Sequence, residues 1–533
     1  MDRRSFVETT GASLGAVSAR GWRGASWLQV PEFPLEGRSV EDLRQLLVDR
    51  RTTAQRLVEQ YTARITWLDD TGPELGHVLE VNPDARAIAA QLDGELRAHR
   101  VRGPLHGIPV LIKDNIATAD HMQTTAGSLA LVDARPPRDA FVARKLREAG
   151  AVILGKTNLS EWANYRSTHS VSGWSGRGGQ CRNPNALDRT PSGSSSGSAA
   201  AAAASSCAVA IGTETNGSIV SPSSACGCVG IKPTVGLVSR SGIIPISHSQ
   251  DTAGPIARTV ADAAVLLAAL AGSDPDDAAT AEADQHAADY TRALDPDGLR
   301  GARLGVMRPT FAGSKVDALY AAALAVLAAQ GAVLVDPVSF PPGGLQGSGD
   351  VLSFEFKADV ERYLADWAPT APVRTLADLI AFNQREAAVE MPYFAQELFE
   401  QSQARGPLTT PEYVAGRDRV QRAAREAIDG LCDANHLDAI VSITGGPARP
   451  IDLVSGDAGG GGSSTYPAVA GYPHVTVPMG YVFGLPVGIS FFGKAWTEAT
   501  LIKLAFAYEQ ATRLRHAPAL APTADVPWDG KAQ

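Results

Sequence analysis

Three segments of the chain combine residue types that could perform nucleophilic chemistry. Lys113 ends the apolar run GIPVLIK, Ser194 lies in the run PSGSSSG, and Ser218 follows the segment GTETNG. A serine hydroxyl becomes an effective nucleophile when a base accepts its proton. Histidine is the usual base, but none of the ten histidines lies near these serines in the sequence. The lysine is therefore the first candidate.

Lys113 has the sequence environment that a neutral amine requires. The residues before it, Gly107–Ile112, predict a buried strand, and burial disfavours the charged ammonium. Lowering the pKa of a lysine from about 10.4 to near 7 takes about 4 kcal/mol, which burial can supply. The alternative is an ordinary lysine that pairs with Asp114 or extends from the strand end into solvent.

The two serine segments differ in what precedes them. Ser195 within Gly193–Gly197 matches the G-x-S-x-G nucleophile elbow, which requires an apolar strand before it. Residues Cys181–Pro191 are instead polar and contain two prolines, so no buried strand is predicted there. A phosphate-binding loop also lacks support, because no Gly-Lys-Ser/Thr follows. Ser218 follows the apolar run Cys207–Ile211 through a turn whose N–H groups could hold an oxyanion, or which simply ends in a serine helix cap.

Together these segments resemble the motifs of the amidase signature family, whose hallmark is a Ser–Ser–Lys triad in a Gly/Ser-rich α/β domain. GIPVLIKDNI matches the lysine segment, PSGSSSGSAAA the relay-serine segment, and GTETNGSIVSPSSACGCVGIKPTVGL the nucleophile segment. The resemblance extends over residues 37–521. It implies Lys113 as the base, Ser194 as the relay serine, whose link to Lys113 is taken to pass through a cis peptide bond, and Ser218 as the nucleophile. The oxyanion hole that it implies consists of backbone N–H groups, those of Thr215, Asn216, Gly217 and Ser218.

The resemblance also implies an activity. The family cleaves C–N amide bonds through an acyl-enzyme, without a metal or an organic cofactor. The segments Lys156–Ser167, Gly173–Pro184 and Lys232–Pro255 are similar to those of bacterial peptide amidases, which implies the C-terminal carboxamide of a peptide as substrate. Val220 replaces an arginine that many members could use to bind a substrate carboxylate, which disfavours acid-amide substrates. The alternatives are a broad aryl or aliphatic acylamidase, a transfer-RNA amidotransferase glutaminase subunit, and a non-catalytic binding protein.

Short apolar runs and amphipathic segments alternate along the chain and must position these residues. Helices are predicted from Ser39, from Thr53, after Pro83, and over Ala140–Ala149, Ala199–Ser206, Thr259–Ala271 and Thr497–Leu514; strands over Gly107–Ile112, Ala151–Leu154, Cys207–Ile211, His474–Val477 and Leu485–Ile489. The pattern predicts an α/β fold with a mixed β-sheet sandwiched between helical layers. We expect a single domain over residues 37–525, with core motifs at 103–272 and a variable helical pocket region at about 274–411. The Gly/Ser run is interpreted as a tight turn around Ser194, followed by a close-packed helix of alanines.

Length and composition exclude several classes of protein. The 533 residues are 44% hydrophobic and 20% charged, which is enough for a large core. The net charge of −9, without a long basic run, gives no support for binding to nucleic acid or anionic membranes. Five cysteines form no disulfide framework, and Cys226-Gly-Cys228 is too closely spaced for a zinc site. No run of 18 apolar residues predicts a membrane span. The expected partner is a small-molecule or peptide amide, and the oligomeric state stays open.

The N-terminus carries a possible export signal. MDRRSFVETTGASLGAVSAR places Arg3 and Arg4 before a stretch of small residues, an order that resembles a twin-arginine signal. Residues 1–30 are therefore expected to be an export signal and a flexible N-terminus, which would make the protein periplasmic or secreted. A basic N-terminal tag is the alternative.

Overall fold

The computed structural model describes residues 31–308, 315–457 and 462–526, and within them a mixed β-sheet of eleven strands forms the centre. The strands are β1 (Val78–Val81), β2 (Pro109–Lys113), β3 (Val152–Thr157), β6 (Val209–Glu214), β7 (Val229–Lys232), β8 (Thr252–Ala257), β9 (Arg303–Met307), β10 (Val333–Val338), β11 (Ala439–Ile443), β12 (His474–Val482) and β13 (Leu485–Phe492), with β4 (Trp174–Ser175) and β5 (Gly179–Gln180) in a separate hairpin. Their order across the sheet is β1-β3-β2-β6-β8-β7-β12-β13-β11-β9-β10.

Helices flank this sheet and connect its strands. They are α1 (Val40–Val48), α2 (Ala54–Thr66), α3 (Ala85–Arg97), α4 (Phe141–Glu148), α5 (Ser196–Ala203), α6 (Val220–Cys226), α7 (Val260–Leu270), α8 (Ala283–His286), α9 (Lys315–Ala329), α10 (Ser348–Trp367), α11 (Leu376–Arg385), α12 (Ala387–Glu390), α13 (Glu397–Gln403), α14 (Pro411–Asn435), α15 (Thr465–Ala470) and α16 (Glu498–Thr512). Local sequence sets several of their first residues. For example, Ser39 and Asp42 form a capping box at α1, and the Thr53 hydroxyl accepts a hydrogen bond from the N–H of Arg56 at α2.

Strand pairing brings three strand ends to one edge of the sheet. Strand β2 pairs in parallel with β6, with Ile112 opposite Ile211. Strand β8 runs antiparallel to β6, with Thr252 opposite Glu214. The C-terminal ends of β2 and β6 therefore meet the N-terminal end of β8, and the loops that extend from these ends lie close together.

The predicted fold class is confirmed, since a large mixed sheet lies between helices. The segment at 274–411 differs from the expectation of a helical region, because strands β9 and β10 within it extend the edge of the sheet. Helices α8 to α13 also lie in this segment. The predicted export signal lies outside the described residues. The described residues from Leu35 onward form one compact unit.

In the described ranges, we find no helix with both the length and the apolar character that crossing a membrane requires. All five cysteines are buried and unpaired.

Candidate active site

Lys113 lies at the end of β2 and has no exposed surface. Its ammonium nitrogen is 2.8 Å from the Ser194 hydroxyl oxygen, 3.1 Å from that of Ser195, 2.9 Å from that of Thr213 and 3.3 Å from the Thr213 carbonyl oxygen. All of these partners are uncharged oxygen atoms. Asp114, the partner that the sequence left open, forms an ion pair with Arg177 instead.

The surroundings of Lys113 favour its neutral form. Burial lowers the pKa of the Lys113 amine to about 7, although the negative charges of Asp251 and Glu214 partly oppose this effect. Near neutral pH, a substantial fraction of the amine is therefore unprotonated.

Two further buried lysines show what distinguishes Lys113. Burial lowers the pKa of both Lys156 and Lys232 to about 8. Lys156 donates hydrogen bonds to the Ile116 carbonyl and the Thr124 hydroxyl, and Lys232 to backbone carbonyls. Of the three lysines, only Lys113 donates to serine hydroxyls, so a lowered pKa alone does not select the candidate base.

The Gly/Ser run forms a tightly packed turn that leads into α5. The Gly193–Ser194 peptide bond is cis. A Cβ atom on Gly193 would lie 2.2 Å from the Ser160 hydroxyl oxygen, and one on Gly197 would lie 2.3 Å from the His77 carbonyl oxygen. Only glycine fits at either position without displacing its neighbours, and the alanines that follow in α5 are buried. The interpretation of this run as a turn rather than a linker agrees with the geometry.

Ser218 lies beside this turn, near the end of the segment that leads from β6 into α6. Ser218 is 8% exposed to solvent. Its carbonyl oxygen accepts a hydrogen bond of 3.1 Å from the N–H of Ser195. The structure thus brings the lysine, the serine turn and the Ser218 segment together. The hydroxyl groups of Ser194 and Ser218, both among the described residues, do not form a hydrogen bond with each other.

The buried carboxylate of Glu214 organises the loop around Ser218, a role that the sequence analysis did not identify. It accepts hydrogen bonds from the N–H groups of Gly217 at 2.8 Å, Ile219 at 2.7 Å and Val220 at 3.1 Å. The Gly217 N–H therefore already has an acceptor within the protein, and it would have to leave this carboxylate in order to serve in an oxyanion hole. The physical reason is that a carboxylate buried at the end of β6 requires hydrogen-bond donors, and the turn supplies them. An acidic residue close behind the apolar run Cys207–Ile211 was the available signal.

The other predicted oxyanion donors keep their N–H groups open. In the described part of the chain, the N–H groups of Thr215, Asn216 and Ser218 donate no hydrogen bond. Two of these residues are held through their side chains. The Thr215 hydroxyl donates to the Asp251 carboxylate at 2.5 Å, and the Asn216 amide oxygen accepts from the Ser464 hydroxyl at 2.7 Å.

A cavity of about 270 Å³ lies next to Thr213 and Thr215. One part of its wall is apolar and aromatic, formed by Ile243, Ile244, Ile246, Tyr363 and Trp367; the rest includes the charged residues Arg138, Arg240, Asp251, Asp359, Arg362 and Asp366. The Arg138 guanidinium lies 3.9 Å from the centre of the Trp367 ring. Several lining residues belong to α10, so part of the segment at 274–411 contributes to the wall.

A cluster of one histidine and two acids also borders the cavity. Nitrogen and oxygen atoms of His248, Glu355 and Asp359 lie within 4.8 Å of one another. His248 Nδ1 is 2.7 Å from an Asp359 oxygen, and the Tyr413 hydroxyl donates to Glu355 at 2.7 Å. These groups bind one another and stabilise the wall.

A Ser–His–Asp arrangement occurs elsewhere in the fold. His77 lies 2.7 Å from the Ser206 hydroxyl through Nε2 and 2.5 Å from Asp69 through Nδ1. Neither Ser206 nor His77 has any exposed surface, so a substrate cannot reach this serine. These residues connect distant segments of the chain, and the lysine-centred site beside the cavity is the candidate for catalysis.

Comparison with known proteins identifies the family of the chain. A sequence model of the family described as Amidase matches residues 56–502, and the chain belongs to this family. Its family and its class, an amide-hydrolysing enzyme, were both predicted from the sequence and are confirmed.

Similar proteins extend over nearly the whole chain. The native peptide amidase from Stenotrophomonas maltophilia is 51% identical, with a TM-score of 0.88, over 92% of this chain and 100% of its own. A probable amidase from Arabidopsis thaliana is 41% identical over 91% of this chain and 92% of its own. An amidase family protein from Bacillus anthracis is 37% identical, with a TM-score of 0.84, over 91% of this chain and 92% of its own.

Proposed function

We propose that this amidase hydrolyses C-terminal carboxamides of peptides, with Lys113 as the base, Ser194 as the relay and Ser218 as the nucleophile. One observation carries the proposal. The Lys113 amine is buried, has a pKa of about 7, and lies 2.8 Å from the Ser194 hydroxyl with no charged hydrogen-bond partner. Such an amine can accept a proton at neutral pH, whereas an ordinary lysine is fully charged there.

The first half-reaction forms the acyl-enzyme. The Ser218 oxygen attacks the carboxamide carbon while the Ser218 proton moves to Ser194 and the Ser194 proton moves to Lys113. The open N–H groups of Thr215, Asn216 and Ser218 stabilise the negative oxygen of the tetrahedral intermediate. Collapse breaks the C–N bond, and the protonated lysine returns its proton through Ser194 to the departing nitrogen, which leaves as ammonia.

The second half-reaction releases the acid. Water attacks the ester carbon, its proton travels through Ser194 to Lys113, and the Ser218 oxygen leaves with the proton that the relay returns. Both half-reactions require the Ser194 hydroxyl to approach Ser218 more closely than in the substrate-free geometry, and catalytic hydrogen bonds commonly shorten when substrate binds.

Two observations support a peptide amide as substrate. The chain is 51% identical to a peptide amidase over nearly its full length. The cavity beside the site combines apolar and charged walls, which suits a peptide better than a purely aliphatic chain. Val220 has an uncharged side chain, so this position of α6 offers no positive charge to a second carboxylate. We also propose that the enzyme is exported, because Arg3 and Arg4 precede a stretch of small residues as in a twin-arginine signal.

The experiment compares substrates and serine variants. Ammonia release is measured with an amidated dipeptide and with a fatty amide, and aniline release with an anilide of the same acyl group. The matched variants are Ser194→Ala and Ser195→Ala, because both hydroxyls contact Lys113. We expect Ser218→Ala and Ser194→Ala to lose activity by several orders of magnitude, and Ser195→Ala to lose about tenfold or less.

Rapid turnover of the amidated dipeptide alone would support the proposed substrate. A preference for the anilide or the fatty amide would contradict that substrate and identify an acylamidase. Equal losses in the Ser194 and Ser195 variants would contradict the assignment of Ser194 as the relay.

A further inference from the structure

Asp251 joins three parts of the candidate site, although the sequence motifs did not identify it. It directly precedes β8 and lines the cavity. One of its carboxylate oxygens accepts a hydrogen bond of 2.5 Å from the Thr215 hydroxyl. The other accepts hydrogen bonds from the N–H groups of Ile246 and Ser247, each at 2.8 Å. Asp251 thus fixes the Thr215 side chain of the Ser218 loop to the segment that leads into the cavity wall.

The same carboxylate acts on the lysine. Of the charges that oppose the loss of the Lys113 proton, that of Asp251 has the largest effect, ahead of Glu214. The strand register explains this proximity, because Glu214 pairs with Thr252 and Lys113 lies on the neighbouring parallel strand. Loss of solvation raises the pKa of Asp251 to about 6.

We propose that Asp251 is a positioning residue for catalysis that holds the oxyanion donor Thr215 through a hydrogen bond and tunes the proton affinity of Lys113 through its charge. This inference rests on the proposed function, because it assigns Lys113 and Thr215 the roles given above. It adds that a single carboxylate, outside the Ser–Ser–Lys set, adjusts two steps that must occur together: removal of the serine proton and stabilisation of the oxyanion.

Other charged groups near Asp251 and Lys113 also affect the pKa values of these two residues. Glu214 at the end of β6 opposes loss of the Lys113 proton, and Arg240, between β7 and β8, lowers the pKa of Asp251. Arg240 is itself paired with Asp277. The remaining charged or titratable residues of the cavity wall are Arg138, His248, Asp276, Asp359, Arg362, Tyr363 and Asp366. Substitutions at positions 251 and 215 leave all of these groups in place.

Two conservative variants separate the charge of Asp251 from its hydrogen bond. Asp251→Asn removes the charge but keeps the shape. Its amide oxygen can still accept the backbone N–H groups, and its amide nitrogen can donate to the Thr215 hydroxyl, which then accepts. Thr215→Val removes the hydroxyl and keeps the Asp251 carboxyl. Because the lost hydrogen bond helps to hold down the pKa of that carboxyl, this variant is compared with the wild type at pH 8.5, where Asp251 is charged in both proteins. Unfolding midpoints measured alongside verify that both variants fold.

The readout is the pH profile of kcat/KM on an amidated dipeptide, together with kcat and KM at the optimum. In Asp251→Asn, the acidic limb is expected to move to lower pH by about one unit or somewhat less, because the Lys113 ammonium loses a stabilising negative charge. In Thr215→Val, we expect kcat at pH 8.5 to fall about tenfold with little change in KM, because the oxyanion loop is released while Asp251 stays charged.

Each half of the proposal has its own contradicting result. An acidic limb in Asp251→Asn that coincides with that of the wild type would overturn the role of the charge. A wild-type kcat in Thr215→Val would overturn the role of the hydrogen bond. Failure of the proposed function has a different signature, since it would appear as undiminished turnover in Lys113→Ala.

Discussion

Replacing Lys113 with methionine should change stability in a way that depends on pH. The pKa of the amine is about 7 in the folded protein and about 10.5 in the unfolded chain. Between these values the unfolded chain binds the proton and the folded protein largely does not, so the stability of the wild type rises with pH across this window. Methionine is similar in size but carries no titratable group, so the variant lacks this dependence.

The magnitude follows from the two pKa values. Giving up the Lys113 proton on folding costs about 4 kcal/mol at pH 7 and about 1 kcal/mol at pH 9.5. Between these two pH values, the wild type should therefore gain about 3 kcal/mol of stability relative to Lys113→Met. All other groups titrate alike in the two proteins, and their contributions cancel in the difference.

The measurement is the free energy of unfolding in denaturant at pH 7, 8.5 and 9.5 for both proteins. We expect the Met variant to have lost catalysis, and its stability advantage over the wild type to shrink as the pH rises. Parallel pH dependences of the two proteins would refute the reasoning, because Lys113 would then keep its proton on folding. A lysine that stays charged in the folded protein could not serve as the base.

Three further substitutions test the surroundings of the site. Ser464→Ala removes the hydrogen bond to Asn216, and kcat should fall about fivefold, which corresponds to one hydrogen bond of about 1 kcal/mol; an unchanged kcat would contradict a role for this contact. In Glu214→Gln, the side-chain amide N–H faces loop N–H groups that donate hydrogen bonds to the carboxylate in the wild type. Because two donors then face each other and the loop shifts, kcat should fall about a hundredfold while the circular dichroism spectrum stays that of the wild type. Arg166→Met leaves the buried carboxyls of Glu161 and Glu390 without their cation, and the free energy of unfolding should fall by about 3 kcal/mol; a smaller loss would indicate that both carboxyls are already protonated.

Much of the fold and of the site could be predicted from local sequence. The apolar run before Lys113 and the glycine-containing turn before Ser218 indicated where two strands end, because burial and turn formation depend on adjacent residues. The alternation of short apolar runs with helical segments predicted the mixed α/β sheet for the same reason. Glycines around Ser194 indicated close backbone packing, which the contacts of Gly193 and Gly197 explain.

Contacts between distant segments were beyond such reasoning. Glu214 occupies the Gly217 N–H because the turn folds back on the end of β6, and no local pattern shows which N–H groups stay open. The sequence also could not show which buried polar groups contact one another. The inaccessible His77, which lies between Asp69 and Ser206, is an example.

The sequence alone therefore indicated the candidate catalytic residues and the elements that bear them, because residue type and periodicity are local properties. Only the tertiary structure decided that Lys113 lacks a charged hydrogen-bond partner, that Asp251 lies between the oxyanion loop and the cavity, and that segments more than a hundred residues apart along the chain form the cavity wall. The physical reason is that the pKa of a buried amine and the shape of a cavity depend on all the atoms that surround them. Those atoms come together only when strands β2, β6 and β8 pair.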